Sequence, residues 1–357
     1  MAVTRLGIDF GPTTARAAWV QDEKGVLLSS LVGQKAFPAV VGLDRTGALH
    51  VGETARRQLL LHPDRTAHRL RRFLGTSMRL DLDKKRFSAR ELCAVVLSQL
   101  RDFAEERLAT PIQAATLAVP CQFAPEQHQD LIAAARMAGF KTAQTVLEPL
   151  AIARAYSLFP ADVPDGKAVL VCDLGATHLE ATVLSPKDDR WSVLATAQRE
   201  TGSELVDERI AEYLGQNLLR QYGLAGFSHQ KTHMRLRLAA EWAKCRLSEQ
   251  ETVTVHLPAV QIADTTMNLE TELGRDQLAL LVEDDLRRAF EVIEIALRQA
   301  RVSKPDLFAV LLSGGPARLP LCAELLTTQT LVRPTPIPAP EEAIAIGAAL
   351  LGNAATK

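Results

Sequence analysis

A short apolar run that ends at an acidic residue is the most distinctive pattern in the chain. Residues 169–172 are apolar, Asp173 follows them, and after the small-residue turn at 174–177 alternating apolar residues resume at Leu179. This pattern predicts a strand, a tight turn and a second strand. A carboxylate beside a turn with accessible backbone N–H groups is suited to hold a metal ion and phosphate oxygens together.

The same pattern occurs near the start of the chain, at residues 6–20. There Asp9 and Gly11 stand in the positions of Asp173 and Gly175. The repeat indicates an internal duplication with one acidic hairpin in each half. Two such hairpins facing each other would bind a phosphate chain from both sides and coordinate a divalent ion through its bound water molecules. The alternative is that each is an ordinary strand pair with an acid at its turn.

The remaining pattern predicts alternating strands and helices. Strands are expected at 26–31, 115–119, 253–257 and 308–312, with an apolar run at 37–41, and helices at 53–61, 67–75, 88–103, 125–138, 150–156, 202–222, 235–247, 278–300 and 340–349. Ser88 and Glu91 form a predicted capping box. The Pro- and Gly-containing segment at 159–167 is the predicted linker between the two halves.

Composition excludes several functional classes. The 357 residues include 41 basic and 42 acidic side chains. A net charge near zero gives no indication of a nucleic acid or an anionic membrane as partner. The five cysteines form no CxxC pair, which predicts reduced thiols and a cytoplasmic location. We expect neither a signal peptide nor a membrane helix, because the first residues are charged early and no apolar run approaches about 20 residues.

Two further segments carry candidate polar residues. Glu148 precedes Pro149 at a predicted strand-to-helix junction, where it could position water or serve only as a carboxylate at a helix start. Glu241, Lys244 and Ser248 share one helix face. That face could bind a ligand, or it could be a surface ion pair followed by a serine cap.

A turn near the C-terminus could contact a ligand with its backbone. Gly314 and Gly315 follow a predicted buried strand, and Arg318 could lay its guanidinium plane on a base. The final small-residue helix is expected to pack beneath this turn. Arg71 lies in a basic cluster on a predicted helix. This cluster could take part in a functional site, or it could be a solvated helix face.

Taken together, these segments resemble the nucleotide-binding domain of the DnaK-type 70-kDa heat-shock chaperones, within the actin-like and sugar-kinase superfamily. The matching segments are GIDFGPTT, FPAVVG, RRFLG, AVPCQF, LEPLAIARAY, CDLGATHLEATVL, GSELVDERI, AEWAKCRLS, LLSGGPARLP and EEAIAIGAAL. The resemblance implies an α/β, actin-like ATPase fold with two duplicated, ribonuclease-H-like lobes around a central nucleotide cleft. The expected lobes are 1–165 and 166–357, with insertion subdomains at about 37–111 and 206–286.

The resemblance also implies a site for ATP or ADP with Mg²⁺. The expected catalytic residues are Asp9, Arg71, Glu148 and Asp173, of which Asp9, Asp173 and Glu148 would order the metal mostly through water. The expected nucleotide-binding residues are Gly11, Pro12, Thr13, Gly175, Ala176, Thr177, Gly202 and Ser203 on the phosphate side, and Glu241, Lys244, Ser248, Gly314, Gly315, Arg318 and Glu341 on the adenosine side.

Departures from the family pattern cluster around the terminal phosphate. Pro12 replaces a threonine and lacks a backbone N–H. Ala176 and His178 replace a glycine and a threonine in the second turn, and Arg71 replaces a lysine with a bulkier planar cation. Because phosphoryl transfer depends on positioning, we expect nucleotide binding to survive and hydrolysis to be slow or lost.

The leading functional prediction is an ATP-driven or ATP-sensing module that acts on a partner protein through lobe closure. The partner would be a co-chaperone or a client, because no peptide-binding domain follows in this sequence, which ends at Lys357. One alternative is a catalytically inactive pseudo-ATPase scaffold. Another is a sugar-kinase-like or actin-like protein with the same fold.

Overall fold

The structure is a computed structural model that describes residues 4–30, 33–224, 226, 230–262 and 265–354. Its strands are β1 Arg5–Phe10, β2 Thr14–Gln21, β3 Lys24–Leu27, β4 Phe37–Pro38, β5 Val41–Leu43, β6 Leu49–Val51, β7 Thr66–Ala67, β8 Arg79–Leu82, β9 Lys85–Ser88, β10 Ala114–Val119, β11 Thr142–Leu147, β12 Ala168–Leu174, β13 Leu179–Lys187, β14 Arg190–Arg199, β15 Thr252–Ile262, β16 Thr265–Gly274 and β17 Leu307–Ser313.

The α-helices are α1 Glu53–Leu61, α2 Ala89–Leu108, α3 Pro125–Met137, α4 Glu148–Ala155, α5 Ser203–Tyr222, α6 Gln230–Leu247, α7 Arg275–Phe290, α8 Val292–Ala300, α9 Pro320–Thr330 and α10 Ala343–Ala354. The predicted capping box starts α2, where the Glu91 N–H donates to Ser88 Oγ at 3.2 Å. No helix in the described part of the chain has the length and apolar character needed to cross a bilayer.

Two sheets repeat one arrangement. In the first, the order is β11-β10-β1-β2-β3, and β4 also pairs with β2; in the second, it is β14-β13-β12-β17. Each sheet has an antiparallel hairpin, β1–β2 or β12–β13, and a parallel neighbour, β10 or β17, beside its first strand. Asp9 and Asp173 occupy equivalent positions, opposite Arg16 and Glu180. The predicted duplication is therefore confirmed.

Helices α4 and α10 lie between the two sheets. Buried side chains from both halves meet there in one cluster, which includes Ile152, Val171 and Leu311. Although α10 belongs to the second half by sequence order, it packs mainly on α4, β1 and β2. A side chain at Gly347 would collide with the Ala151 carbonyl. The start of the predicted segment 340–349 does contact the Gly314 turn, because the Gly314 N–H donates to the Pro340 carbonyl at 3.2 Å, whereas the helix that follows packs mainly on other elements.

Smaller sheets accompany each half. In the first half, β5 pairs with β6 and β7, and β8 pairs with β9. In the second half, the hairpin β15–β16 packs against α5, α6 and α7. The elements β8, β9, β14 and β16 are absent from the sequence-based prediction. Their residues are polar or alternate between polar and apolar, so no long apolar run marks a strand.

Three predicted elements need correction. The segment at 67–75 is β7 followed by a short 3₁₀ helix, Leu70–Phe73, because Arg69 adopts a left-handed conformation with φ 54°. The helix at 278–300 is divided into α7 and α8 by a tightened turn at Glu291. The strand predicted at 26–31 ends at Leu27, and its last position lies outside the described residues.

Candidate functional site

A cavity of about 420 Å³ lies between the two sheets. Among its lining residues are most of the predicted site: Asp9, Gly11, Pro12, Thr13, Arg71, Glu148, Asp173, Gly175, Ala176, Ser203, Glu241, Lys244, Ser248, Gly314, Gly315, Arg318 and Glu341. The other two predicted residues, Thr177 and Gly202, line an adjoining cavity of about 700 Å³. We refer to these as the first and second cavities. The structure thus brings all the predicted site residues into one cleft.

The two hairpin turns have the same backbone geometry. The Gly11 N–H donates to the Thr14 carbonyl at 2.9 Å, and the Gly175 N–H donates to the His178 carbonyl at 2.9 Å. Each bond closes a turn that follows an acidic strand end. The duplicated sequence therefore produces a duplicated turn on both sides of the first cavity.

The Gly175 turn is hydrogen-bonded to the N-terminus of α5. The Ser203 and Glu204 N–H groups donate to the Gly175 and Ala176 carbonyls at 2.9 and 3.0 Å. These bonds satisfy two of the N–H groups that a helix start leaves free. A side chain at Gly202 would collide with the Ala176 carbonyl. Glycine is needed there because the turn and the helix approach so closely.

Three carboxyl groups lie at one wall of the first cavity, two of them buried and that of Asp173 half-buried. Asp9 and Glu148 are only 8% and 4% exposed. Burial raises the pKa of Asp9, of Glu148 to about 8 and of Asp173 to about 7, and repulsion by the neighbouring carboxylates adds to the last two shifts. Asp173 Oδ1 is buried and has no hydrogen-bond partner among the described residues. The wall therefore favours an added cation or hydrogen-bond donor.

These carboxylates do not form a closed metal site by themselves. Within the described ranges, no group of three or more His, Cys, Asp or Glu side chains could hold a metal ion directly. A cation bound at Asp9 and Asp173 would need oxygen ligands from water or phosphate.

Arg16, whose Nη1 lies 3.9 Å from Asp9 Oδ2, is one cation at this wall, and another is Arg71. The Arg71 Nη1 donates to Glu148 Oε1 at 2.7 Å. Burial alone would lower the pKa of Arg71, but the charges of Glu148 and Asp9 raise it overall, so the guanidinium stays charged. The left-handed Arg69 immediately precedes the 3₁₀ helix that carries Arg71 into the cleft. The alternative of a solvated helix face is therefore wrong for Arg71.

The opposite wall presents a fixed guanidinium plane. Arg318 Nε and Nη2 donate to the two Glu341 oxygens at 2.8 and 2.7 Å. This bidentate pair raises the pKa of Arg318 and fixes the orientation of its planar group. Gly314 has φ 96°, and a side chain there would collide with the Leu174 carbonyl. A side chain at Gly315 would instead enter open space.

The α6 residues line the first cavity while contacting other elements. Lys244 Nζ lies 2.6 Å from Asp207 Oδ1, and Glu241 forms an ion pair with Arg56 of α1, across the cleft. The surface ion pair between Glu241 and Lys244 that the sequence left open is absent from these contacts. Ser248 does act as a cap, because its Oγ donates to the Cys245 carbonyl at 2.6 Å.

Sequence reasoning missed several residues of the cleft, among them Glu180 and Arg56. Glu180 is 8% exposed and lines the second cavity. Its signal was present, because a single acid interrupts the strand between Leu179 and Ala181. Arg56, the ion-pair partner of Glu241, gave no such signal, because its role depends on how the two halves come together.

A cleft between duplicated sheets, with an acidic hairpin turn from each half and a guanidinium plane at the far wall, defines the actin-like ATPase class of folds. The family model described as Hsp70 protein matches residues 5–85 and 76–356. The chain therefore belongs to the Hsp70 family, which confirms the resemblance seen in the sequence and the predicted fold class.

Proteins named chaperone protein DnaK are similar to nearly the whole chain. The protein from Thermosipho melanesiensis is 32% identical over 352 residues, which cover 97% of this chain and 58% of the relative. Those from Thermosipho africanus and Thermotoga petrophila are each 31% identical, with the same coverage. The chain thus spans 58% of the length of these relatives.

Proposed function

We propose that the chain binds ATP and ADP with Mg²⁺ in the first cavity and acts on a partner protein through closure of its two lobes. The phosphates would lie between the Gly11 and Gly175 turns, and the adenosine between the α6 face and the Arg318 plane. The observation that carries this proposal is the convergence of two equivalent acidic turns and a fixed guanidinium plane on a single cavity.

The residues present fit a divalent cation. Asp173 Oδ1 is a buried acceptor with no partner among the described residues, and burial, together with the neighbouring carboxyls, raises the pKa of Asp173. Asp9 and Asp173 would hold Mg²⁺ mostly through water, with Glu148 nearby. When bound, Mg²⁺ supplies positive charge that neutralises phosphate oxygens. Arg71 contributes a second positive charge from the protein itself.

We infer that hydrolysis is slow or impaired. Pro12 offers no N–H to a phosphate oxygen. Ala176 places a methyl group in the second turn, and His178 is hydrogen-bonded through Nδ1 to Thr177 Oγ1 at 2.8 Å. Arg71 is bound to Glu148, the residue proposed to position the attacking water. Misplacement of such groups can cost about 100-fold in rate.

The proposed partner is a co-chaperone or a client protein. This follows from family membership, because relatives named as chaperones match the chain over most of its length. We also propose a cytoplasmic location, which the five free cysteines support. A pull-down in the presence of Mg·ADP or Mg·ATP would test the partner, since a lobe-closure mechanism requires nucleotide-dependent recovery of a discrete protein.

Thermal unfolding with and without Mg·ADP tests nucleotide binding. At 100 times the Kd, we expect about 2.7 kcal/mol of stabilisation and a melting temperature several degrees higher. Arg318→Ala removes the guanidinium plane, and Gly315→Leu fills open space in the first cavity, so both should reduce the shift. Glu324→Gln, on the exposed side of α9, is the control. No shift in the wild-type protein would refute the proposal.

A scaffold without ATP turnover is the second candidate. The hydrogen-bonded His178 and the Arg71–Glu148 pair favour it. Release of phosphate from ATP by the wild-type protein, increased by Pro12→Thr with His178→Thr, would contradict the scaffold and support a weak ATPase. Unchanged, background-level release in both proteins would support the scaffold.

A further inference from the structure

Phe308 is an exposed aromatic residue at an irregularity near the start of β17. Ala168 of β12 pairs with Leu307 and the next residue, Val169, pairs with Ala309, so Phe308 is an extra residue without a partner on β12. An extra residue of this kind redirects a side chain. Leu307 is buried in the core of the second half, whereas Phe308 is 44% exposed. The irregularity therefore keeps a large apolar side chain in solvent.

Leu331 is a second exposed apolar residue, and its backbone is strained. It ends α9 with φ 62°, in the left-handed region, and its side chain is 76% exposed. An L-residue in this conformation brings its β-carbon close to the following carbonyl oxygen, so glycine is the usual residue at such a helix end. Neither the backbone nor burial accounts for a leucine here in the isolated chain.

The segment that follows Leu331 runs beside β17. The Thr335 N–H donates to the Val310 carbonyl at 2.8 Å, and the pairing is parallel. Since residues 331–335 run in the same direction as β17, Leu331 lies towards the start of that strand, where Phe308 is found. The two exposed apolar residues are therefore at the same end of the second sheet.

A carboxylate of α8 joins the two chain segments that carry these residues. Gln329, at the end of α9, donates to Glu294 Oε1 at 3.1 Å. Lys304, just before β17, lies 2.7 Å from the same oxygen. Leu331 and Phe308 follow these two residues by two and four positions. The contacts with Glu294 thus hold the two apolar residues on one surface.

The surroundings of this apolar pair carry an excess of positive charge. Arg298 and Arg301 follow Glu294 by four and seven positions, which places them on the same side of α8, and Arg333 follows Leu331 closely. All three arginines are exposed, and none forms an ion pair with a residue in the described part of the chain. The nearby carboxylates are already paired, Glu294 with Lys304 and Asp306 with Lys167.

The outer edge of the segment beside β17 is unsuited to pairing with an added strand. Prolines occupy the alternate positions Pro334, Pro336 and Pro338. Because the Thr335 N–H faces β17, these prolines fall at the outward-facing positions, and proline has no N–H to donate. A partner must therefore bind through side chains, as a helix does, and not through strand addition.

We propose that a basic–apolar surface, formed by Phe308, Leu331 and the three arginines, binds an acidic amphipathic helix of a partner protein. The helix would place an apolar stripe on Phe308 and Leu331 and its carboxylates beside the arginines. A second copy of this chain fits less well, because a symmetric contact would bring arginines against arginines. The surface does not depend on nucleotide binding.

Fluorescence anisotropy with labelled model helices tests this surface. The probe is a peptide of glutamate and leucine in which the leucines form one helical stripe. We expect saturable binding that weakens as salt is added. A peptide of the same composition with its leucines scattered around the helix, and one with lysine in place of glutamate, should each bind at least tenfold more weakly.

Leu331→Gly separates binding from folding. Glycine adopts the left-handed conformation without strain, so the melting temperature should be unchanged or higher, while peptide binding should weaken about tenfold. Arg333→Glu should weaken binding several-fold. Leu61→Ser removes an exposed leucine of α1 in the other half and is the matched control, which should bind normally. Mg·ADP titration of the same variants should match the wild type.

Several results would overturn the inference. These are no saturable binding of the acidic peptide, equal binding of the scattered peptide, or unchanged binding by Leu331→Gly. Dimers in analytical ultracentrifugation that are lost in Phe308→Ser would assign the surface to a second copy. Binding to phosphatidylglycerol vesicles without binding of the peptide would assign it to a membrane. Either result would exclude the partner helix.

Discussion

At the level of single residues, the cleft is defined by carboxyl groups held close together and away from water. Asp9, Glu148 and Asp173 all have raised pKa values, first because of burial. Arg71 offsets part of their repulsion. A bound divalent ion would offset more, because it favours the charged form of each acid. Stability of the free protein and its affinity for Mg²⁺ should therefore depend on pH in opposite directions.

We predict that the nucleotide-free protein loses stability as pH rises towards 8. Folded Asp173 keeps its proton up to a pKa of about 7, whereas the unfolded residue releases it near 3.8. Between those values the folded state binds more protons, so the free energy of unfolding falls as pH rises. From pH 5.5 to 8, Asp173 should contribute about 2 kcal/mol to this fall.

Urea unfolding at pH 5.5 and 8 measures this effect. Asp173→Asn should reduce the pH dependence, while Asp81→Asn, on the exposed hairpin β8–β9, should leave it unchanged. Equal pH dependence in the wild type and Asp173→Asn would show that Asp173 does not titrate as described.

The Arg318–Glu341 pair supports a second residue-level prediction. Glu341→Gln keeps the side-chain shape but removes the charge that fixes the guanidinium plane with two hydrogen bonds. We expect Mg·ADP to bind about 3- to 10-fold more weakly, because Arg318 must then be ordered on binding. Titration calorimetry gives the affinity, and Glu324→Gln serves as control. Unchanged affinity would mean that the two hydrogen bonds to Glu341 do not orient Arg318 for the ligand.

The sequence predicted the residues that line the cleft better than it predicted their partners. Asp9 and Asp173 were identifiable because each ends an apolar strand before a small-residue turn. The pairing of Glu241 with Arg56 was not, because these residues lie 185 positions apart and meet only when the halves assemble. Local patterns specify turns and faces, whereas ion pairs across a cleft depend on the tertiary arrangement.

At the level of elements, hairpins supply the site and helices α4 and α10 hold the halves together. The α10 residues Gly347 and Ala349 pack so closely on α4 and β1 that a side chain at Gly347 would meet the Ala151 backbone. The small residues of this helix were visible in the sequence. Its packing partner was not, because the same small-residue face would fit against several elements.

We predict that Gly347→Val strongly destabilises the protein. The added side chain would force α10 away from α4, and overpacking of this kind costs about 1–3 kcal/mol or more. Chemical unfolding measures the loss. Gly226→Ala is the control, because a side chain there would have no neighbour within 4 Å. Wild-type stability of Gly347→Val would contradict the close packing of the two helices.

The predicted element boundaries were wrong where the backbone conformation departed from what the hydrophobic pattern indicates. The segment at 67–75 has helical spacing, yet the left-handed Arg69 divides it. A non-glycine residue in this conformation is uncommon and is tolerated where the surroundings impose it. Here Arg69 also pairs with Glu204 on the other side of the cleft. A contact with the opposite half thus accompanies a local conformation that the sequence could not reveal.

At the level of the whole molecule, ion pairs connect the two halves across the open side of the cleft. Arg56 of α1 pairs with Glu241 of α6, and Arg69 pairs with Glu204 at the start of α5. Because Glu241 also lines the first cavity, closing the cleft and holding a ligand involve the same side chain. Release of a bound nucleotide would require the Arg56–Glu241 pair to open.

We predict that Arg56→Ala speeds nucleotide release. Removing a partly exposed ion pair costs up to about 1 kcal/mol, which corresponds to a several-fold faster dissociation of Mg·ADP. Stopped-flow displacement of a fluorescent ADP analogue measures the rate. Arg57→Ala is the matched control, because Arg57 pairs with Glu53 within α1. The same rate in both variants would show that the Arg56 pair does not restrict opening.

A crystal structure grown with Mg·ATP tests the central claim most directly. The account predicts a nucleotide in the first cavity, with its phosphates and Mg²⁺ between Asp9 and Asp173 and its adenine against the Arg318 plane. Intact triphosphate would agree with slow hydrolysis. A structure determined at saturating Mg·ATP with no nucleotide between the two acidic turns, or with nucleotide bound elsewhere, would contradict the account.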